Sequence, residues 1–331
     1  RVIHQITLII ITPKHFTYSE TKILMLNVLI RRVLIAIPVL IIVASLTFFF
    51  IRLAPGGPFD ADKVVSPQVM KNLNAAYNLD APLHQQYFDY MSGVVVGDFG
   101  PSFRYPGRSV SEMIYTGLPI TFELAFYALM IAVALGIFSG VLAALKRNTF
   151  LDYFPMAIAM LGICVPTFLM GPILVLVFGI NFEVLPVSGW DTLAGDKLLP
   201  SITLGFAYAA YIARLSRGGM LEVLGQDFIR TARAKGLSEF SIVTRHAMQG
   251  GLLPVVSFMG PAIAGLLGGS FVVETIFQIP GLGRFYVEAA FNRDYTMILG
   301  TTIFFSAMII FFNLLSDLAV LLLNPRAREN L

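Results

Sequence analysis

Between Arg32 and Arg52 the chain runs through nineteen residues, Val33 to Ile51, without a charge. At ~1.5 Å per residue, a helix of that length crosses a ~30 Å hydrocarbon core. The pattern recurs along the chain. Leu124 to Leu145 is a second run, with Glu123 at its edge, and Tyr153 to Ile180 is a third, interrupted by Pro155, Pro166 and Pro172. Leu198 to about Leu221 is a fourth, weakened by Arg214 and Arg217; Gly250 to Phe277 and Met297 to Leu323 are the fifth and sixth. The bilayer is therefore the expected solvent, and the expected fold is an all-α membrane protein with six transmembrane helices. A charged fraction of 13% over 331 residues agrees, since soluble domains carry about 25%.

Basic residues fall unevenly between the runs. Arg31, Arg32, Lys146, Arg147, Arg214, Arg217, Arg230, Arg233, Lys235, Arg245, Arg326 and Arg328 belong to one side, and Lys63, Lys71, Arg104, Arg108, Lys197, Arg284 and Arg293 to the other. By the positive-inside rule both termini face the cytoplasm. Residues 1–24 read as an upstream extension or an added remnant, because Met25 suits a natural start just before the first span at 25–53. Their apolar run, Ile6 to Ile11, is too short to cross. The outer segment 54–117 is too aromatic for disorder, so short helices against the outer face are expected. Asp80 followed by Pro82 predicts a helix start for PLHQQYFDYM, and Gly97, Gly100 and Pro101 a turn.

Catalytic machinery is hard to find. No phosphate-binding G-x-x-x-x-G-K-[ST] occurs, and His4, His15, His84 and His246 lack metal-ligand spacing. No enzyme activity, metal or cofactor is expected in the chain itself, and a net charge of +3 gives no basis for nucleic-acid binding. Cys164, the single cysteine, is expected to be a small buried hydrophobe. Ionisable residues near spans mark ion coupling when they occur at mid-membrane. Here there are Glu123 and Glu274 near outer ends, Arg214 near an inner end, and Asp317, expected to pack on another helix together with Asn313. Small residues at Gly136 and Gly140, and at Gly265 and Gly269, have the spacing that lets helices approach closely. Gly260, Pro261, Gly265, Gly268 and Gly269 together predict a fifth span that bends or lines a pathway, tight packing being the equal alternative.

The segment 222–249, within a core of 118–323, differs in kind. Gln226 to Lys235 contains good helix formers, with Phe228, Ile229 and Ala232 on one face and Asp227, Arg230 and Ala234 along another; Asp227 and Arg230 have i,i+3 spacing. Gly236 is placed to stop that helix and Ser238 to cap a second one, with Glu239 at its positive end. A helix, a glycine corner and a second helix carrying Phe228 and Phe240 at the membrane surface fit a docking site for a partner protein.

RTARAKG, at 230–236, resembles the E-A-A-x-x-x-G loop of the integral membrane subunits of ABC-type importers. Arg230 stands where that family often has Glu, Thr231 and Ala232 where it has the two Ala, and Gly236 at its Gly; Met248-Gln249 replace a later Leu-Pro. The wider match lies in MLNVLIRR, RLAPGGPF at 52–59, GDFGPSF at 97–103, RHA at 245–247, LLPV, MGPA, VETIFQIPGLG and NRDY at 292–295. These resemble the B-type permease of oligopeptide importers from Met25 to Arg328, and the Arg for Glu belongs to that oligopeptide and dipeptide branch. The resemblance implies the type I ABC importer permease fold and a heteromeric machine in the inner membrane. Its partners would be a second, homologous permease, one or two cytoplasmic ATPase subunits holding ATP and Mg, and an external peptide-binding protein. The ATPase-docking residues implied are Asp227, Phe228, Ile229, Arg230, Thr231, Ala232, Arg233, Ala234, Lys235 and Gly236, with Arg233 and Lys235 as polar and Phe228 and Ile229 as apolar contacts. A dipeptide, nickel or glutathione permease is the nearest alternative within the family, and an ion-coupled carrier the alternative outside it.

Overall fold

The computed structural model describes residues 18–54, 56–59, 68, 71, 74–75 and 77–323. The expected extension up to residue 17 and the tail 324–331 lie outside the described residues. In chain order the helices are α1 (Tyr18–Leu53), α2 (Leu83–Val95), α3 (Val110–Leu145), α4 (Phe150–Cys164), α5 (Thr167–Leu174), α6 (Leu198–Leu224), α7 (Asp227–Ala234), α8 (Glu239–Ser241), α9 (Leu253–Ile276), α10 (Leu282–Asn292) and α11 (Tyr295–Leu323). Helix α5 continues as a π-helix over Val175–Asn181, and α8 continues through a π-helical Ile242–Ala247 into a turn at Met248–Gly251.

Helices α1, α3, α6, α9 and α11 are each long and apolar enough to cross a membrane. The third expected crossing, Tyr153 to Ile180, is a broken pair, α4 and α5, bent by 113°. Pro155 and Pro172 stay inside their helices. Pro166 makes the break, because proline pushes the preceding residue out of helical geometry; Val165 has φ −86° and ψ 117°. Cys164, at this break, is exposed rather than buried.

Helices α3 and α6 form the centre. Gly136 and Gly140 on α3 lie where a β-carbon would come within 2.7 Å of Ile212 Cβ and 2.6 Å of Ser216 Cβ, and Gly205 on α6 where one would come within 2.5 Å of the Ala128 carbonyl oxygen. Three glycines thus let two backbones touch, the drive for helix pairing in lipid. Around this pair Leu124, Leu204, Leu266, Val273 and Phe277 build the main core with α9. Helix α11 closes against α9, and α1 is held to α11 by an ion pair between Arg32 and Asp317. The partner of Asp317 is therefore an arginine on α1.

One end of the bundle is aromatic and capped. Glu274, fully buried near the end of α9, accepts from the Thr121 hydroxyl at 2.8 Å and the Arg284 backbone N–H at 3.0 Å, while the Leu282 N–H donates to Thr121 Oγ1 at 2.9 Å. The first turn of α10 has no acid of its own. A carboxylate from α9 and a hydroxyl from α3 satisfy the orphan donors of that turn. Close by, Asp294 caps α11 through the Met297 N–H at 3.2 Å and accepts from the Ser102 hydroxyl at 2.5 Å and the Arg104 N–H at 3.2 Å. Arg293 and Tyr295 donate to the carbonyls of Gly57 and Gly56 at 3.4 and 3.1 Å. RLAPGGPF, GDFGPSF and NRDY, far apart in sequence, meet here. Glu123 is taken by Lys197 Nζ at 2.6 Å and Trp190 Nε1 at 3.2 Å.

Candidate functional site

At the opposite, basic end, α6 runs past the bundle, turns at Gly225 and Gln226 and enters α7. The outcome for the predicted amphipathic helix is specific. Ile229 and Ala232 are buried, packed with Met220, Ile242, Val243, Ala247 and Ala144 in a small core of their own. Phe228 lies exposed on the other side together with Asp227 and Arg230, which pair at 3.3 Å. Phe228 therefore leaves the face assigned to it, and Ile229, expected as an apolar docking contact, is an internal strut. Their separation follows from helix geometry, since adjacent residues are ~100° apart around the axis.

The corner follows the sequence reading closely. Gly236 has φ +76°. Its N–H donates to the Arg233 carbonyl at 2.9 Å and the Leu237 N–H to the Ala232 carbonyl at 3.3 Å, the two bonds of a Schellman stop. Ser238 Oγ accepts from the Ser241 N–H at 3.3 Å and starts α8. Arg233 spans the corner and grips Glu239 through Nε to Oε1 at 2.8 Å and Nη2 to Oε2 at 3.3 Å. These hydrogen bonds hold the Glu239 carboxyl below its ordinary range and raise the guanidinium. Arg233 thus fastens the corner itself. Phe228, Arg230, Lys235, Leu237 and Phe240 are left exposed around it.

The loop is also clamped to the spans. A β-carbon on Gly219 of α6 would collide with the Gly251 carbonyl oxygen, and one on Gly250 would stand 3.1 Å from Val223 Cγ2. The outgoing and returning chains therefore touch backbone to backbone. One turn before Met220, Arg217 grips Asp152 of α4 at 2.6 and 2.9 Å, and the Asn148 N–H adds a third bond to that buried carboxylate. The loop is thus joined to α6 by the small core around Met220 and the Gly219–Gly251 contact, and α6 to α4 by Arg217.

Residues 25–125 match the family described as "Binding-prot-dependent transport system membrane comp, N-term", and residues 132–329 match "Binding-protein-dependent transport system inner membrane component". The chain belongs to the binding-protein-dependent transport family of inner-membrane components. Among curated relatives it is 45% identical over 305 residues to the oligopeptide transport system permease protein OppB of Escherichia coli strain K12, covering 92% of this chain and 100% of that one. OppB of Haemophilus influenzae is 43% identical over the same length and shares. The dipeptide transport system permease protein DppB of Bacillus subtilis is 43% identical over 304 residues, 92% of this chain and 98% of the relative. Among solved structures, an inward-facing MetNI methionine ABC transporter chain superposes with a TM-score of 0.53 at 18% identity over 66% of this chain and 96% of that chain, which gives the fold. The chain is a multi-pass permease with the type I ABC importer fold.

In this permease the five residues expected to bend or line a pathway divide. A β-carbon on Gly260 would collide with Ser316 Cβ of α11, and one on Gly265 with the Tyr208 hydroxyl of α6. Those two are packing glycines. Pro261 is exposed, Gly268 opens onto free space, and Gly269 has room for a β-carbon 3.6 Å from Leu204 Cδ1. Only spatial neighbours separate the two roles. No cluster of His, Cys, Asp or Glu able to hold a metal occurs among the described residues.

Proposed function

We propose that this permease is the membrane subunit of an ATP-driven oligopeptide importer, with the α7–Gly236–α8 corner as the surface that receives a cytoplasmic ATPase. The basic end faces the cytoplasm, with both termini on that side. The aromatic end, built on Asp294 and Glu274, faces the external binding protein. A second, homologous permease completes the pathway, and ATP and Mg belong to the ATPase subunits. Alternating access follows if ATPase closure pushes the corner, since the corner is clamped to α6 and α9. The observation that carries this reading is the pairing of an exposed crest, Phe228, Leu237 and Phe240, with an anchored underside, Ile229 and Ala232. A loop that merely met solvent would need neither. Asp227, Arg230, Thr231, Ala234 and Lys235 surround the crest, and Gly236 sets its angle. The DppB relative, 43% identical like the Haemophilus influenzae OppB, makes dipeptide uptake the second reading.

The test is co-purification and uptake with the neighbouring operon products, comparing wild type with Phe228→Asp plus Phe240→Asp. Neither side chain supports the fold from inside. The expected result is loss of the ATPase and of peptide uptake, with the permease still inserted. Retention of both would remove the corner from the docking role, and a wild-type chain that binds no ATPase would sink the importer reading.

A further inference from the structure

Arg214 poses a problem that docking does not solve. It lies on α6 ten residues before Leu224, about 15 Å of helix, inside a segment long and apolar enough to cross the bilayer. It is exposed, and among the described residues it has neither an ion pair nor a hydrogen-bond partner. Arg217, one turn further on, is neutralised by Asp152, whose carboxylate is fully engaged. A lone guanidinium in a span is costly, and its natural reading is function.

Its surroundings indicate which function. Beyond Leu198, the exposed residues of α6 fall on one stripe, Tyr211, Arg214, Gly218 and Glu222. Arg214 and Gly218 of that stripe line an open cleft of ≈ 460 Å³ together with Arg217 and with Asp152, Tyr153, Met156 and Met160 of α4. On the α9 side, the Phe258 and Tyr211 rings lie 5.9 Å apart, and Ser257, Pro261, Gly268 and Thr275 continue the face towards the aromatic end. Those four α9 residues are small or polar, while Val272 between them and Tyr153 and Met160 on the α4 edge are exposed and larger. The exposed faces of α1 and α3 instead carry Leu34, Phe50, Phe126, Met130 and Phe138, a surface suited to acyl chains. Arg214 is thus the charge of that cleft left without a partner among the described residues, one turn from the Arg217–Asp152 pair.

A permease that passes peptides of many sequences can hold only what all of them share, the backbone and its two charged termini. A guanidinium offers paired donors matched to a carboxylate. We infer that Arg214 receives the C-terminal carboxylate of the peptide in transit, on a wall formed by α6 and α9. The inference rests on the peptide-importer reading.

The experiment uses the full complex in proteoliposomes with saturating binding protein, and compares uptake of tri-alanine and its C-terminal amide. Arg214→Gln is expected to lower tri-alanine uptake about tenfold, the scale of one lost charge-assisted hydrogen bond. Amide uptake should be unchanged, and Arg214→Lys should restore most of the loss. A second arm does not depend on delivery of the amide. In a Cys164→Ser background, Tyr211→Cys should react with an impermeant thiol reagent and be protected by tri-alanine, with the protection lost when Arg214→Gln is added. An equal fall for both peptides together with lost ATPase stimulation, or unchanged uptake of both, overturns the inference. So does normal transport with loss of a bound anionic phospholipid by native mass spectrometry, which would make Arg214 a lipid anchor. A wild-type complex that moves neither peptide overturns the importer reading and this inference with it.

Discussion

Gly236 shows how much one residue can determine. Its left-handed backbone completes the stop of α7 and aims α8, yet nothing lies within 4 Å of where a side chain would begin. A substitution there acts through the backbone alone. Gly236→Val, β-branched and costing about 1–2 kcal/mol in this conformation, is expected to separate ATP hydrolysis from peptide uptake or prevent ATPase binding, with the protein still inserted. Gly236→Asn, which tolerates the same backbone, should retain both, and a coupled ATPase and uptake assay distinguishes them. The corner was legible because glycine, a capping serine and an acidic first turn act within a few residues. The acids were less so: Glu123 and Glu274 read alike as acids near outer ends, and the packing expected of Asp317 named no partner charge. The structure makes the first a partner of Lys197 and Trp190, the second a cap for another helix, and the third an anchor for α1.

At the scale of elements, helices fail to match their apolar runs where they gain stability from a neighbour. Helix α3 starts at Val110, well before the expected Leu124, with Ser109 Oγ accepting the Glu112 N–H at 3.1 Å. The Ser-x-x-Glu signal was present, but Pro119 and the polar stretch near Glu123 masked it. Helix α10 was not predicted at all, because its first turn is capped by residues from α3 and α9. Gly281→Ala should therefore drive a β-carbon into Glu274 and to 2.8 Å from Thr121 Oγ1, with a lowered melting temperature and loosened protection of α10 in hydrogen exchange. An unchanged protein would refute the borrowed cap. Between α4 and α6, Arg217→Met leaves the Asp152 carboxylate buried and unpaired, an expected loss of about 3–5 kcal/mol. Adding Asp152→Leu should recover most of it in the same thermal unfolding assay, because an apolar pair needs no partner charge.

Across the whole molecule, the two ends have opposite chemistry: one a basic clamp, the other an aromatic cap in which three separated motifs meet. The orientation proposed here predicts that, on a Cys164→Ser background, an impermeant thiol reagent labels Phe240→Cys only from the cytoplasmic side and Leu193→Cys only from outside. The reverse pattern would invert the topology. Sequence by itself determined the solvent, the rough placement of the apolar runs, the corner at Gly236 and the family resemblance. Each rests on local pattern: uncharged length against bilayer thickness, or capping residues a few positions apart. Only tertiary structure decided which side of α7 is strut and which is crest, which glycines pack and which stand open, where the third crossing breaks in space, and which arginine is left without a carboxylate. Those outcomes depend on neighbours contributed by distant parts of the chain, and a charge or a missing side chain acquires its role only from what stands opposite it.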